Sequence, residues 1–281
     1  YIPRTATAGN PAPGFLYAVG GGDGVDAGSG FAIEASRRGY VVLTIDVPGN
    51  GLSESISGVV RFDANNQAIT SSDDRTHCNE AAYRYLTGLP FVDRTRMITG
   101  GHSMGGMYTV QVAQNHQDEV LLQTNVGMNM YGSAELGYGF NFALLIGSSD
   151  ESALVRTTGH NTMNDIYQNE GLKALFGLDA GETLVEGKEY GDFANGTGRV
   201  VRSPHTLHIW EPYSNGIVKE FLRVLEQTME MPNYIAPEKT VFFFKDLLRI
   251  AMIPCLAVFI CSVACLLLGA GVFQPLKLKA S

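Results

Sequence analysis

The stretch Gly101-His102-Ser103-Met104-Gly105-Gly106 decides how the rest of the chain is interpreted. A short apolar run at residues 97–99 precedes it, and a run with helical character at residues 107–113 follows it. A strand, G-x-S-x-G and a helix in this order are typical of a nucleophile elbow, a sharp turn that exposes the serine. Gly101 and Gly105 suit such a turn because neighbouring backbones would crowd a Cβ. The pattern predicts a nucleophile at Ser103. The alternative is a glycine-rich turn with an incidental serine.

Short apolar runs alternate with helical patterns on both sides of this motif. The run at residues 40–45 is continuous and rich in β-branched side chains, as expected for a strand that is buried on both faces of a parallel sheet. Alternation of this kind predicts an α/β fold with a doubly wound, mostly parallel sheet. The predicted strands lie at residues 15–19, 40–45, 97–99, 120–124, 142–146 and 200–201, and the predicted helices at residues 31–38 (closed by Gly39), 74–86 and after a capping Ser214.

We expect one domain over residues 1–231, with a small lid-like insertion at about residues 152–190 that carries one helix near residues 164–176. Residues 232–249 are expected to form a linker and juxtamembrane segment. Residues 250–273 contain no charged side chain, and 24 such residues are long enough to cross the hydrocarbon of a bilayer. They predict a transmembrane helix followed by a tail at residues 274–281; a buried core helix is the alternative.

The overall charge excludes one class of partner. The chain has 20 basic and 28 acidic residues, which gives a formal net charge of −8. Because nucleic-acid binding needs a basic surface that neutralises phosphates, we expect no nucleic-acid partner.

A serine nucleophile needs a base to take its proton and an acid to orient that base. Behind a G-x-S-x-G elbow, these follow in the order Ser, Asp/Glu, His. Asp150 comes just after a predicted strand, where its side chain would reach the crevice at the carboxyl edge of the sheet. It is the first candidate for the acid, with Glu151 second and Glu135 third; a solvated loop aspartate is the alternative.

Two histidines, His205 and His208, lie in the loop after the last predicted strand, and either is a candidate for the base. Two neighbouring histidines also suggest a metal site, but the sequence supplies no third ligand at suitable spacing, so we expect no metal. His102 is expected to shape the elbow rather than to transfer protons. The remaining histidines, His77, His116 and His160, are expected at the surface.

The oxyanion of a tetrahedral intermediate needs two preorganised N–H donors. The backbone N–H of Met104 is the expected first donor, since it follows the nucleophile. The second is expected from the glycine-rich loop after the first predicted strand, where Gly21 is the choice and Gly22 its neighbour. A phosphate-binding loop is excluded because no Gly-Lys-Ser/Thr follows these glycines.

Together these features resemble the α/β-hydrolase superfamily, in particular its dienelactone-hydrolase-like and lipase-like serine hydrolases. The resemblance spans residues 3–231. Besides the elbow, residues 46–53 resemble the D-x-x-G-x-G-x-S turn of that family, residues 91–97 its approach to the elbow strand, residues 147–150 its acid turn and residues 208–214 its histidine loop. It implies the α/β-hydrolase fold, a Ser103–Asp150–His208 triad and acyl transfer without a cofactor.

Three features depart from the family. Val19 stands where a histidine-glycine oxyanion motif is usual, the insertion lies between the acid and the histidine, and an apolar segment follows the domain. Membrane-attached bacterial relatives resemble the chain in this last respect. The expected function is that of a membrane-anchored serine esterase or lipase that acts on a small-molecule acyl substrate, with its hydrolase domain outside the cytoplasm. The alternatives are an acyltransferase or peptidase with the same triad, and a non-catalytic membrane-tethered binding domain.

Overall fold

A six-stranded parallel sheet forms the centre of the structure. The computed structural model describes residues 1–54, 61–62, 68–69, 76–128, 137–152, 162–179, 181–270 and 272–273. Its strands are, in chain order, β1 (Ala12–Ala18), β2 (Val41–Ile45), β3 (Arg61–Phe62), β4 (Ala68–Ile69), β5 (Val92–His102), β6 (Val120–Val126), β7 (Asn141–Leu145) and β8 (Arg199–Arg202). β3 and β4 pair antiparallel with each other, and the other six strands form the main sheet.

The order of strands in the sheet is β2-β1-β5-β6-β7-β8. The chain therefore passes from β1 outward to β2, returns to the other side of β1 as β5, and then continues outward in the opposite direction. This reversal places a topological switch point between β1 and β5, and ligands of open α/β sheets bind at the carboxyl ends of strands at such a point. The predicted doubly wound, parallel sheet is confirmed.

Helices cover both faces of the sheet. α1 contacts α6, and α2 contacts α3, so the helices form two pairs. Their bounds are α1 (Ser29–Arg37), α2 (Asn79–Thr87), α3 (Met104–Asn115), α4 (Met163–Tyr167), α5 (Glu170–Leu175), α6 (Asn215–Thr228) and α7 (Phe243–Gly269), with 3₁₀ helices at Val25–Gly28, Phe193–Asn195 and His208–Tyr213.

The alternation of side chains along β1 shows why the sheet is covered on both faces. Every residue of β1 is buried. Leu16 belongs to the apolar cluster that includes residues of α2 and α3. The rings of Phe15 and Tyr17 instead contact Phe221 of α6 and Phe31 of α1, with centroids 5.1 and 4.6 Å apart. Because successive side chains of a strand point to opposite faces, both faces need an apolar cover.

Two predicted helix ends are confirmed. The Ser214 hydroxyl accepts a hydrogen bond from the Ile217 N–H at the start of α6, which satisfies one of the unpaired donors of that helix. Gly39 follows α1 with a φ of +95°, a left-handed conformation that terminates a helix and that glycine adopts without a steric penalty.

The lid-like insertion differs from its prediction in the part that the structure describes. The sequence predicts one helix near residues 164–176, whereas two short helices, α4 and α5, are present. Asn169 separates them because its side chain accepts a hydrogen bond from the Leu172 N–H and so caps a new helix. Residues 153–161 and 180 of the insertion lie outside the described residues.

Contacts between residues divide the chain into one unit at Tyr1–Thr240 and a second at Val241–Ser281. The second unit contains α7, whose 27 residues include a window with a mean hydropathy of 2.7. In the part of the chain that the structure describes, α7 is the one helix long and apolar enough to cross a membrane. It begins at Phe243 rather than Ile250 and ends at Gly269, where Ala270 turns to extended backbone. The tail at residues 274–281 lies outside the described residues.

Candidate active site

The elbow after β5 holds Ser103 in a strained conformation. Its φ of +51° and ψ of −123° are rare for a residue with a side chain, and such strain persists only where the surroundings enforce it. The Ser103 N–H donates to the Val126 carbonyl at 2.8 Å. A Cβ on Gly101 would overlap the Gly105 carbonyl group, and one on Gly105 would overlap the Ala18 carbonyl oxygen. The predicted need for glycine at both positions therefore has a direct steric cause.

Three predicted residues meet at the carboxyl edge of the sheet. Ser103 follows β5, Asp150 follows β7, and His208 begins the 3₁₀ helix after β8. The Ser103 Oγ lies 3.0 Å from His208 Nε2, and His208 Nδ1 lies 2.9 Å from Asp150 Oδ2. Since a carboxylate only accepts, Nδ1 carries the proton and Nε2 accepts the hydrogen bond from the serine hydroxyl. Asp150 is fully buried, whereas 12% of the His208 side chain is exposed.

Three features decide the fold: the strand order, the switch point beside β1, and the strained serine between β5 and α3. The chain has the α/β-hydrolase fold. The sequence resemblance implied this fold, and the structure confirms it.

No family model and no curated protein matches the sequence, but solved structures do. S-formylglutathione hydrolase from Agrobacterium tumefaciens is 15% identical to this chain, with a TM-score of 0.49. The match covers 82% of this chain and 88% of that enzyme. Est1E from Butyrivibrio proteoclasticus, bound to ferulic acid, is 12% identical to this chain, with a TM-score of 0.49. The match covers 81% of this chain and 93% of Est1E.

A third similar structure is matched over a shorter stretch. The ferulic acid esterase from Streptomyces cinnamoneus is 21% identical with a TM-score of 0.36. The match covers 49% of this chain and 43% of that enzyme, so this chain spans less than half of its length.

The other candidates for the acid and the base lie elsewhere. His205 Nδ1 lies 3.3 Å from the Ser148 hydroxyl, on the exposed side of the loop. Glu151 is exposed, and its carboxylate accepts a hydrogen bond from the His208 backbone N–H at 3.0 Å. Glu135 lies outside the described residues.

The histidines that we expected at the surface make separate contacts. His77 stacks on Tyr108 with ring centroids 4.4 Å apart, and His116 Nε2 lies 2.9 Å from Glu80 Oε1. His160 lies outside the described residues.

The glycine-rich loop after β1 lies against the elbow. A Cβ on Gly20 would come within 3.5 Å of the Ser103 Cβ, and one on Gly21 would come within 2.5 Å of the Met104 sulfur. Met104 is the first residue of α3, and a helix leaves the N–H groups of its first turn without intrahelical partners. Gly21 and Met104, the predicted N–H donors, therefore belong to adjacent backbone segments beside the serine.

The sequence interpretation missed Glu211 and assigned His102 only the role of shaping the elbow. Glu211 is fully buried, and its Oε2 lies 3.6 Å from His208 Nδ1 and 3.2 Å from His102 Nε2. His102 does more than shape the elbow, because its Nε2 also donates to the His208 carbonyl oxygen at 3.1 Å. One signal for Glu211 was present in the sequence, its spacing of three residues from His208. Residues three apart on a 3₁₀ helix share a face, so Glu211 lies on the side of His208.

Burial and charge set the ionisation of this pair. Burial alone would lower the pKa of His102, but the carboxylates of Asp23 and Glu211 outweigh it and raise the pKa to about 9. Burial raises the pKa of Glu211 to about 7; the charge of Asp150 adds to this effect, and the hydrogen bonds from His102 and Gly147 oppose it. At neutral pH, His102 is therefore a buried cation, and Glu211 becomes a carboxylate as the pH rises through about 7.

Among the described residues, His102, His208 and Glu211 could hold a metal ion, since their ligand atoms lie within 4.8 Å of one another. Each of these atoms also has a protein partner at 3.6 Å or less. Among these atoms, His208 Nδ1 is hydrogen-bonded to Asp150, whereas Glu211 Oε2 is buried without a hydrogen-bond partner.

We predict that His102 makes the stability of the domain fall at alkaline pH. A histidine whose folded-state pKa is raised from 6.5 to about 9 contributes stability that is fully present below pH 6.5 and is lost as the pH rises through 9. The contribution is at most roughly 3 kcal/mol.

The measurement is the urea-unfolding free energy of the full chain in detergent, followed by circular dichroism between pH 7 and 9.5. His102→Gln should flatten the decline that the wild type shows. An equal decline in both proteins would contradict the assigned charge of His102.

Proposed function

We propose that the chain is a serine hydrolase that cleaves an ester by acyl transfer to water. The observation that carries the proposal is the hydrogen-bonded series Ser103 Oγ, His208 Nε2, His208 Nδ1 and Asp150 Oδ2, with contacts of 3.0 and 2.9 Å. A serine hydroxyl becomes nucleophilic when a base lies within hydrogen-bond reach and a third group orients that base. The strained elbow adds support, because it holds the hydroxyl away from its own sheet and toward the base.

The reaction begins when the Ser103 Oγ attacks the carbonyl carbon of the ester and His208 Nε2 takes the hydroxyl proton. The carbonyl oxygen becomes an oxyanion, and the N–H groups of Met104 and Gly21 donate hydrogen bonds to it. Asp150 stabilises the imidazolium ring and fixes its orientation. The intermediate then expels the alcohol, which takes the proton from His208 and leaves an acyl-serine.

Water completes the cycle by the same steps. His208 takes a proton from a water molecule as this attacks the acyl carbon, and it returns the proton to Ser103 Oγ when the acid is released. None of these steps draws on a cofactor. The substrate is a small molecule that carries an acyl group; an acceptor other than water would make the chain an acyltransferase or peptidase.

We further propose that α7 anchors the hydrolase to a membrane, with the hydrolase domain outside the cytoplasm. At about 1.5 Å per residue, 27 residues span about 40 Å, which exceeds the hydrocarbon thickness of a bilayer. None of its most apolar window is buried, unlike the core helix of a water-soluble domain. The charged residues Lys245, Asp246 and Arg249 lie in its first two turns, where a helix would enter the headgroup region.

Ser103→Ala should lower hydrolysis of short p-nitrophenyl esters by at least about 10⁴-fold in kcat, because the nucleophile is lost. His208→Ala should produce a loss of similar size, since serine and base act as one unit. His205→Ala is the matched control: its exposed ring contacts Ser148 rather than Ser103, so kcat should stay within about twofold. Equal losses in the two histidine variants would contradict the assignment of the base, and full activity of Ser103→Ala would contradict the proposed function.

Deleting residues 241–281 should release the hydrolase domain from membranes. The full chain should remain in the membrane pellet after alkaline carbonate extraction, whereas the chain that ends at Thr240 should appear in the supernatant with its esterase activity. Release of the full chain by carbonate would contradict a transmembrane anchor.

A further inference from the structure

His208 faces two buried carboxylates rather than one. Asp150 Oδ2 lies 2.9 Å from its Nδ1, and Glu211 Oε2 lies 3.6 Å from the same atom. Both carboxyl side chains are fully buried. A single acid suffices for the proposed mechanism, so Glu211 is a buried ionisable group that the mechanism does not use. Burying a second carboxylate beside the first is costly unless it is compensated.

The backbone is shaped to admit the Glu211 side chain. Gly147, after β7, donates its N–H to Glu211 Oε1 at 2.5 Å. Gly127, after β6, has a φ of +60°; a Cβ there would overlap Glu211 Oε2 and come within 3.0 Å of His208 Nδ1. The carboxylate therefore occupies a space that any larger residue at position 127 would close.

His102 supplies the compensating charge. Its Nε2 lies 3.2 Å from Glu211 Oε2 and 3.1 Å from the His208 carbonyl oxygen. Because both neighbours are acceptors, Nε2 carries a proton. Its Nδ1 has no hydrogen-bond partner and lies 3.8 Å from Asp23 Oδ2, so a second carboxylate faces the ring. The imidazole rings of His102 and His208 are 4.7 Å apart between centroids.

We propose that Glu211 and His102 are positioning residues for His208, with the ionised form of Glu211 acting as a second acid on Nδ1 and His102 stabilising that ionised form. The proposal rests on the proposed function, since it concerns how the base of that reaction is held. Two consequences follow. The ring of His208 keeps a carboxylate partner when Asp150 is neutralised, and the imidazolium formed during acyl transfer is stabilised by two anions.

The charges around this pair define its response to pH. Four titratable groups face Glu211. Two of them are His102 at the end of β5 and Asp150 in the loop after β7. The others are His208 on the same 3₁₀ helix and the hydroxyl of Tyr17 on β1. His102 is faced in addition by Asp23 from the loop after β1. Glu211 adds negative charge near Nδ1 above pH 7, the range in which it is ionised. This charge favours the protonated form of the His208 ring.

The experiment measures the second-order rate at which a fluorophosphonate labels Ser103, in the full chain in detergent and as a function of pH. This rate reports the nucleophilicity of Ser103 and needs no knowledge of the substrate. Labelling of the wild type and its absence in Ser103→Ala test the nucleophile of the proposed function separately. A failure of the proposed nucleophile can therefore be distinguished from a failure of the roles proposed for Glu211 and His102.

Asp150→Asn should lower the labelling rate by only about 10²-fold, rather than the roughly 10⁴-fold loss typical when a triad acid has no substitute. The double variant Asp150→Asn/Glu211→Gln should lose at least a further tenfold. Glu211→Gln alone should move the midpoint of the pH profile to lower pH by about one unit, because a charge near the ring is removed. Equal rates in Asp150→Asn and the double variant would overturn the proposal.

Glu80→Gln is the matched control, since Glu80 pairs with His116 at 2.9 Å in a second histidine–carboxylate contact outside the site. Its pH profile should follow the wild type, and a midpoint shift equal to that of Glu211→Gln would overturn the proposal. If Glu211→Gln does not fold, Asp150→Asn alone decides, because a loss near 10⁴-fold would leave Glu211 no role as an acid. Inhibition of labelling by added Zn²⁺ at micromolar concentration, reversed by a chelator, would assign the cluster to a metal ion instead and would also overturn it.

Discussion

The close approach of α3 to the end of β1 is the constraint on which the rest of the site depends. Side chains at Gly101 and Gly105 would overlap backbone atoms of the elbow and of β1, so the helix can begin here only because both residues lack a Cβ. The approach forces Ser103 into its strained φ and ψ and directs its hydroxyl away from the sheet. Strain of this kind costs about 1–3 kcal/mol and is held by the surrounding packing, including the hydrogen bond from the Ser103 N–H to β6.

The parallel sheet brings distant residues to this serine. β5, β7 and β8 run in the same direction, so the residues that follow them meet at one edge although they are far apart in the chain. Asp150 and His208 are 58 residues apart in sequence and 2.9 Å apart at their side-chain atoms. Gly127 at the end of β6 then leaves room for Glu211, Gly147 after β7 donates its N–H to it, and His102 within the elbow compensates its charge. The site is therefore a buried set of alternating charges with one partly exposed imidazole.

The fold could be predicted because its signals are local. The G-x-S-x-G motif, the apolar strands, the Ser214 cap and the left-handed Gly39 each depend on a few neighbouring residues. The lengths of the elements were less predictable. Only residues 97–99 carry an apolar run, but β5 extends from Val92 to His102. It is longer because it pairs with β1 on one side and β6 on the other. The contact of His102 with Glu211 is tertiary, and no local pattern encodes it. The division of the insertion helix at Asn169 was missed because a cap inside a helical pattern is a weak signal.

The central claim is that Ser103 attacks an acyl group while the N–H groups of Met104 and Gly21 hold the oxyanion. The most direct measurement is a crystal structure of the full chain after reaction with a fluorophosphonate, whose tetrahedral phosphorus mimics the intermediate. We expect phosphorus bonded to Ser103 Oγ, with the phosphoryl oxygen about 3 Å from the backbone nitrogens of both Met104 and Gly21. An adduct on another residue, or a phosphoryl oxygen directed away from both N–H groups, would contradict it.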